Sequence, residues 1–455
     1  MLHNGTQGTY VKPEISTKNG TPPSMLQEKN KEINLIGQGS YGCIFYPGIR
    51  CGRKQPKDPN RIVTKIQEVR KSTLDEVEIG RIIQTIPKYQ QFFAPVIENC
   101  SVNLSTIGSK AIDKCELNLR DKKIKFVSNK IAYVGKFSIG KFFNKKIVDM
   151  AKKQIILKKG TSSITKQVEQ VKNFLIKIIT CHIYLLENIL LLQQKNIIHF
   201  DLKENNVMYD EKNDIPIIID FGLSINKDKL KTAASFKREF NYSNYETCTQ
   251  WSIESALLIY ICKNIILKTD KSFISLNQVI TSAKEMKESI QKFISRQYDD
   301  HRHVGISEEL QKRFEIKAVH YVNSFVGKTW KELWDSLLAS MNTWDNYSLA
   351  QLFHYELYKL QLDNNRLIKY FIGAYSSVLI DLIISEPTKR ISILDTIEKL
   401  KQIIRNIKKK DNESLNRVLK PMIQSEGYAD SIEKIQTIHE YNEELRDDIL
   451  DNKKE

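Results

Sequence analysis

The stretch Ile197-Ile198-His199-Phe200-Asp201-Leu202-Lys203-Glu204-Asn205-Asn206-Val207, followed by Ile217-Ile218-Ile219-Asp220-Phe221-Gly222, decides how this chain is read. It gathers the carboxylates of Asp201 and Asp220, the Lys203 ammonium and the Asn206 carboxamide into one short span, with apolar runs on either side. Carboxylate and carboxamide oxygens are the donors that suit a hard cation. The apolar runs suit short buried strands. Together they fit a metal–phosphate site carried on two such strands.

Working upstream, Leu35-Ile36-Gly37-Gln38-Gly39-Ser40-Tyr41-Gly42-Cys43-Ile44-Phe45 reads as strand, glycine turn, strand. The G-x-G-x-x-G spacing also marks dinucleotide-binding folds, where a helix follows the turn. Here Ile44 and Phe45 continue as strand, and Pro47 and Gly48 argue against a helix. A β-hairpin lid is the better reading, its glycines permitting close backbone approach to phosphates. Arg61–Ile66 reads as a strand with Lys65 between apolar neighbours, and an exposed strand lysine is the simplest account of it in isolation. Leu74, Val77, Ile79, Ile82, Ile83 and Ile86 have helical spacing, with Ser72 or Thr73 as cap. Either Glu76 or Glu78 could face Lys65. Residues 92–137 look β-rich, with Ser105–Lys123 as a loop insertion, and Val168–Gln193 reads as a long helix delivering the chain into His199.

In this order the segments resemble the eukaryotic-type serine/threonine protein kinases, whose catalytic loop carries H-x-D-L-K-x-x-N and whose metal segment carries D-F-G. The resemblance extends over residues 31–405. The run G-S-Y-G-C-I-F-Y-P-G-I-R-C and a long helical insert resemble divergent members encoded by large DNA viruses. The implied fold is α+β with two lobes. A small β-rich lobe with one main helix would span 31–137 and a larger, mainly helical lobe 138–405, with an insertion at about 256–340. Residues 1–30 would be a flexible arm and 406–455 a charged tail.

The resemblance also implies roles. Asp201 would take the proton of the acceptor hydroxyl, and Lys203 would neutralise the transferring phosphoryl group. Asn206 and Asp220 would hold Mg²⁺, with Mn²⁺ as a substitute. Gly37, Gln38, Gly39, Ser40, Tyr41 and Gly42 would lie over the phosphates of ATP, and Ile36, Ile44, Val63 and Met208 around its adenine. Lys65 would hold phosphates and pair with Glu76, which matches the family's helix phase better than Glu78. Downstream, Thr247 would contact the catalytic loop, Asp345 would brace its backbone, and Arg390 would form a buried pair with Glu254. The substrates implied are proteins with Ser or Thr hydroxyls. A catalytically weak scaffold that binds protein partners is the alternative.

Three departures stand out. Phe200 replaces the arginine that gathers an activation-segment phosphate in the family, although Thr232, Ser235 and Ser243 are present in that segment. The spacing between Glu254 and Asp345 is long, and residues 276–293, 308–325 and 330–341 within it read as helices. The Lys65–Glu76 interval is short, and Gly80 falls where a bulkier residue usually backs the glutamate.

Composition sets further bounds. The hydrophobic share of 41% supports a sizeable core, and the net charge is +16. Much of that excess lies between Lys122 and Lys172, where it reads as solvated helix faces or a dock for acidic partners. No nucleic-acid motif accompanies it. No uninterrupted apolar run suggests a membrane span, and the polar N-terminus suggests no secretory signal. Seven cysteines without short metal-type spacing suggest free thiols in a reducing, intracellular compartment.

Overall fold

Alternating apolar residues in the first third of the chain pair into sheets, and Gly39 lies opposite Gly42 in the first strand pair. A computed structural model of the protein describes residues 32–39, 42–51, 58–102, 104–156, 163–240, 251–266, 273–299, 308–361 and 366–409. The expected arm 1–30, Ser40, Tyr41, Ser243, Thr247 and nearly all of the expected tail lie outside them.

Strands β1 (Asn34–Gly39), β2 (Gly42–Tyr46), β3 (Ile62–Glu68), β5 (Val96–Ser101) and β6 (Phe126–Ala132) form one sheet in the order β1-β2-β3-β6-β5. Every neighbouring pair in it is antiparallel. Strand β4 (Phe93–Ala94) leaves this sheet and pairs in parallel with β10 (Ile215–Ile219). The second sheet continues through β9 (Val207–Asp210) to β7 (Phe137–Ser138), and β8 (Ile197–Ile198) pairs with β11 (Ile225–Asn226).

Helix α1 (Lys71–Ile83) packs on the first sheet. It starts before the expected cap. Thr73 lies inside the first turn, where its hydroxyl accepts from Arg70 N at 3.3 Å and donates to Glu68 O at 2.9 Å. Val63, Val77, Val96 and Ile131 form the core on this face. A Cβ at Gly80 would run into the Val96 carbonyl, so glycine is what lets the helix lie this close to β5. Gln84 Nε2 then bridges Gly80 O and Val96 O at 3.1 and 3.2 Å.

The opposite face of the sheet is covered too, which corrects the reading of Ser105–Lys123 as a loop insertion. Residues Leu104–Thr106 form a 3₁₀ turn and α2 spans Ser109–Asp113. Ile107, Ala111, Ile112 and Leu119 bury themselves against Cys43, Phe45 and Ile66. The reason is the pleat: Ile66 and Lys65 point to opposite faces of β3, so the outward face needs its own apolar cover. Two disulfides secure this region, Cys43–Cys115 and Cys51–Cys100. The expectation of free thiols is corrected for these four residues, and the inference to a reducing compartment loses that support. Cys181 and Cys262 are free and buried.

Beyond Ser138 helices dominate: α3 (Ile139–Ile156), α4 (Ser163–Gln194), α5 (Ala233–Phe240), α6 (Ile253–Ile261), α7 (Lys284–Asp299), α8 (Glu308–Asn323), α9 (Trp330–Ala339), α10 (Trp344–Gln361), α11 (Arg366–Ile384) and α12 (Ile393–Lys409). The fold is therefore mixed, with sheets toward the N-terminus and mainly helices after them. Helix α12 continues four residues past the expected boundary at 405, since Ile403 and Ile407 both reach the core. The helix expected over 276–293 begins only at Lys284. Before it, Ile280 exchanges backbone bonds with Gly327 and Lys328 at 2.9 and 2.8 Å, and this pairing holds the chain extended.

Helix α4 is the central support. Its segment Lys172–Gln194 is long and apolar enough to cross a membrane by length and composition, with a mean hydropathy of 1.8. Its apolar residues instead serve the interior: Leu175, Ile178, Ile179, Leu185, Leu186, Ile189 and Leu192 are all buried.

A Gly80→Ala substitution tests the close approach of α1. Overpacking against backbone is expected to cost about 1–3 kcal/mol in chemical denaturation. A cost below about 0.5 kcal/mol would show that the helix can shift freely.

Candidate functional site

Strand β3 carries Lys65 inward, and α1 brings Glu76 to meet it. Lys65 Nζ lies 3.1 and 3.3 Å from the two Glu76 carboxylate oxygens and 2.9 Å from Asp220 Oδ1. Gln67, two residues along the same strand face, donates to Glu76 Oε2 at 2.9 Å. Lys65 and Glu76 are buried, whereas the Asp220 side chain is 40% exposed. Burial disfavours the Lys65 charge, but the Glu76 and Asp220 carboxylates outweigh it and raise its pKa. Burial likewise opposes ionisation of Asp220, and Lys65 outweighs it, holding the carboxyl below its ordinary range. Glu78 faces elsewhere, to Lys229 Nζ at 2.5 Å.

The loop that carries Asp201 is held through its backbone. Asp345, at the start of α10, accepts from His199 N at 2.9 Å and from Phe200 N at 3.0 Å. The corresponding carbonyls are satisfied as well. Ser224 Oγ donates to His199 O at 3.1 Å, and Trp251 Nε1 to Phe200 O at 2.7 Å. All four main-chain polar groups of this buried dipeptide are thus paired, as buried backbone requires. The arrangement holds Phe200 at φ 64°, a left-handed conformation uncommon outside glycine. The His199 ring bridges to the second motif, with Nε2 3.0 Å from Ile219 O and Nδ1 3.3 Å from Asp201 N. The Nε2–H tautomer satisfies both contacts. Burial raises the pKa of Asp345, while the nearby His199 ring and the two backbone N–H groups act against that rise.

Asp201 itself is buried and embraced by its own loop. Lys203 Nζ lies 3.0 Å from Oδ1 and 2.9 Å from Oδ2. Asn206 Nδ2 donates to Asp201 O and Asp201 Oδ2, both at 2.8 Å. With its nitrogen used on Asp201, the Asn206 carboxamide oxygen is the atom a cation would take. Asp220, at φ 59°, offers a partly exposed carboxylate beside Gly222. Carboxylate and carboxamide oxygens are the donor types that a hard divalent cation takes. Lys65, Glu76, Asp201, Asp220 and Gly222 line one cleft, and Leu117 from the cover segment stands at it too.

The remaining candidates are distributed as follows. Gly37, Gln38 and Gly39 belong to β1, and Gly42 starts β2. Ile44 and Val63 lie on the Lys65 side of the sheet among Ala132, Tyr133 and Val134, while Ile36 is 50% exposed. Met208 sits in β9 opposite Ile217 and Ser138. Gln38 turns to the cover segment, where its amide exchanges two hydrogen bonds with Glu116. Of the lysines between 122 and 172, Lys145 pairs with Glu211 at 3.1 Å and Lys172 with Glu169 at 3.4 Å.

Phe200 enters an aromatic cluster. It stacks on Trp251 with ring centres 4.6 Å apart and lies against Phe240 and Trp344. Arg390 occupies a buried pocket and binds both Glu254 oxygens, with Nη2–Oε2 at 3.2 Å. It also donates to Thr343 Oγ1 at 3.0 Å and Leu382 O at 3.1 Å.

Sequence reasoning missed Gln67, Ser224, Lys229, Glu116 and the indole donor of Trp251. Only Gln67 carried a usable signal, its period-2 relation to Lys65. No protein-family model matches the chain.

The Arg390–Glu254 pair has two distinct mutational consequences. Arg390→Met leaves a buried carboxylate uncompensated and is expected to cost about 3–5 kcal/mol, whereas Arg390→Met with Glu254→Leu should recover much of that loss. Urea unfolding of both variants measures it. Equal losses would show that the stranded Glu254 carboxylate is not the source of the cost.

Proposed function

We propose that the protein is a magnesium- and ATP-dependent serine/threonine protein kinase with a small sheet-rich lobe and a larger helical lobe. One observation carries the proposal: buried Lys65 joins Glu76 and Asp220 in the same cleft that Asp201 lines, with Lys203 and Asn206 bonded to Asp201.

The chemistry follows from these groups. An acceptor hydroxyl on a protein substrate gives its proton to the Asp201 carboxylate as its oxygen attacks the γ-phosphorus, and the bond from that phosphorus to the β–γ bridging oxygen breaks, so that ADP leaves with the electron pair. Lys203, already beside Asp201, lends positive charge to the transferring group. Lys65 exchanges its Asp220 contact for phosphate oxygens and keeps Glu76, so its charge remains compensated throughout. Asn206 and Asp220 would hold magnesium, which supplies charge to neutralise the triphosphate. Gly42 approaches β3 so closely that a Cβ would lie 2.7 Å from Ile66 O, so a side chain at this point of β2 would press on the neighbouring strand.

The aromatic packing of Phe200 supports a loop held without a phosphate. Its neighbour Trp251 is joined to it both by stacking and by the indole hydrogen bond. Phosphatase treatment of the purified enzyme is accordingly expected to leave its specific activity within about twofold, where removal of a required charge-assisted phosphate contact would cost far more.

Transfer of radiolabelled γ-phosphate to protein acceptors tests the activity. Asp201→Asn is expected to lower the rate by a factor of about 10²–10⁴ while ATP binding persists. A wild-type protein that binds ATP but transfers nothing to protein hydroxyls would favour the scaffold alternative.

A further inference from the structure

The glycine hairpin has an outside as well as an inside. Strand β1 lies at the edge of its sheet, paired only with β2 among the sheet's strands. A glycine-rich hairpin at an edge loses much chain entropy on ordering and is marginal by itself. Here residues Leu104–Leu119 pack on its outer face. Cys43, directly after Gly42, is covalently joined to Cys115, and both sulfurs are buried among Phe45, Ile66, Ile107 and Ile112. The next residue, Glu116, holds Gln38 on the other strand. Gln38 Nε2 donates to Glu116 Oε1 at 3.0 Å, and Glu116 N donates to Gln38 Oε1 at 3.2 Å. One short segment therefore grips both strands of the hairpin, at Gln38 and at Cys43. It then sends Leu117 to the cleft lined by Lys65, Asp201 and Asp220.

We propose that Leu104–Leu119 is a buttress that fixes the glycine hairpin for nucleoside triphosphate, with the Cys43–Cys115 bond as its anchor and Glu116 as a positioning residue. The proposal rests on the kinase reading of the cleft. Its physical basis is preorganisation: a hairpin ordered before the ligand arrives adds no ordering cost to binding. Glu116 acts through Gln38 and touches no substrate. The Cys43–Cys115 bond also makes nucleotide affinity depend on thiol state. A dithiol reductant breaks the S–S bond by supplying two electrons and two protons, leaving two thiols and closing to its own disulfide. The second bridge, Cys51–Cys100, joins the chain beyond the hairpin to β5 and does not grip the turn.

The test uses the full chain, a fluorescent ATP analogue with Mg²⁺, and amide hydrogen exchange of residues 34–46. Cys43→Ala with Cys115→Ala is expected to weaken analogue binding about 5- to 20-fold and to speed exchange in β1 and β2, through the lost preorganisation. Cys51→Ala with Cys100→Ala should bind within about twofold of wild type, because that bridge adds nothing to hairpin order. Glu116→Ala should raise the KM for ATP about 2- to 5-fold without lowering kcat, in line with one exposed hydrogen-bonded pair. Glu116→Gln, which keeps the accepting Oε1, should restore it. The buttress is refuted if the Cys43/Cys115 variant folds, binds as wild type and exchanges no faster. Should that variant fail to fold, the Glu116 pair decides: equal KM values for Glu116→Ala and wild type refute it. If wild type binds no nucleotide, the kinase reading fails instead, and hairpin exchange alone then decides the buttress.

Discussion

The ammonium group of Lys65 constrains the rest of the structure. A buried charge is tolerated only when it is paired, and this one is paired twice. Glu76 brings α1 against the sheet, and Asp220 brings the turn that follows β10 to the same point. Two consecutive elements and a turn 155 residues beyond Lys65 therefore converge on one atom. Other features follow from that convergence. Helix α1 must lie close to β5, so its residue facing the Val96 carbonyl is glycine. Gln67 must satisfy an oxygen of Glu76, so a polar side chain sits inside an otherwise apolar layer.

A second constraint acts below the cleft. The chain at His199–Phe200 turns sharply, with Phe200 in a left-handed conformation. Such a turn persists when its surroundings overdetermine it. Asp345 supplies two acceptors, Ser224 and Trp251 supply two donors, and the aromatic cluster immobilises the Phe200 ring. An arginine at this position would bring a charge requiring its own partner. Phenylalanine replaces that requirement with apolar contact to Trp251, Phe240 and Trp344. Order in the proposed catalytic loop is in this sense built into the core.

Much of this was legible before the structure. The choice of Glu76 over Glu78 rested on helix phase, and the geometry agrees: Glu76 meets Lys65 and Glu78 meets Lys229. Asp345 and Arg390 were legible because their motifs stand in a recognisable order. The cover segment Leu104–Leu119 was not. Its apolar residues are too few and too interrupted to give a period, and they become a core only against Cys43, Phe45 and Ile66. The chain around Ile280 misled for a related reason. Its pattern suits a helix, but pairing with Gly327 and Lys328 holds it extended, and nothing nearby in sequence announces that partner.

The sequence by itself determined which chemistry is present: two carboxylates, a carboxamide and two lysines on short strands and turns, with a central apolar helix to support them. Those properties depend on residues within one or two turns of each other, where periodicity and side-chain type decide. Where no motif names the partner, only the tertiary structure decided who meets whom. Cys43 and Cys115 are 72 residues apart, and no spacing rule pairs them. Lys65 reaches Asp220 across 155 residues. Such pairings depend on how the layers stack, because the energy of a buried contact lies in complementarity between distant segments. Local sequence can offer the groups for these contacts, but it cannot assign their partners.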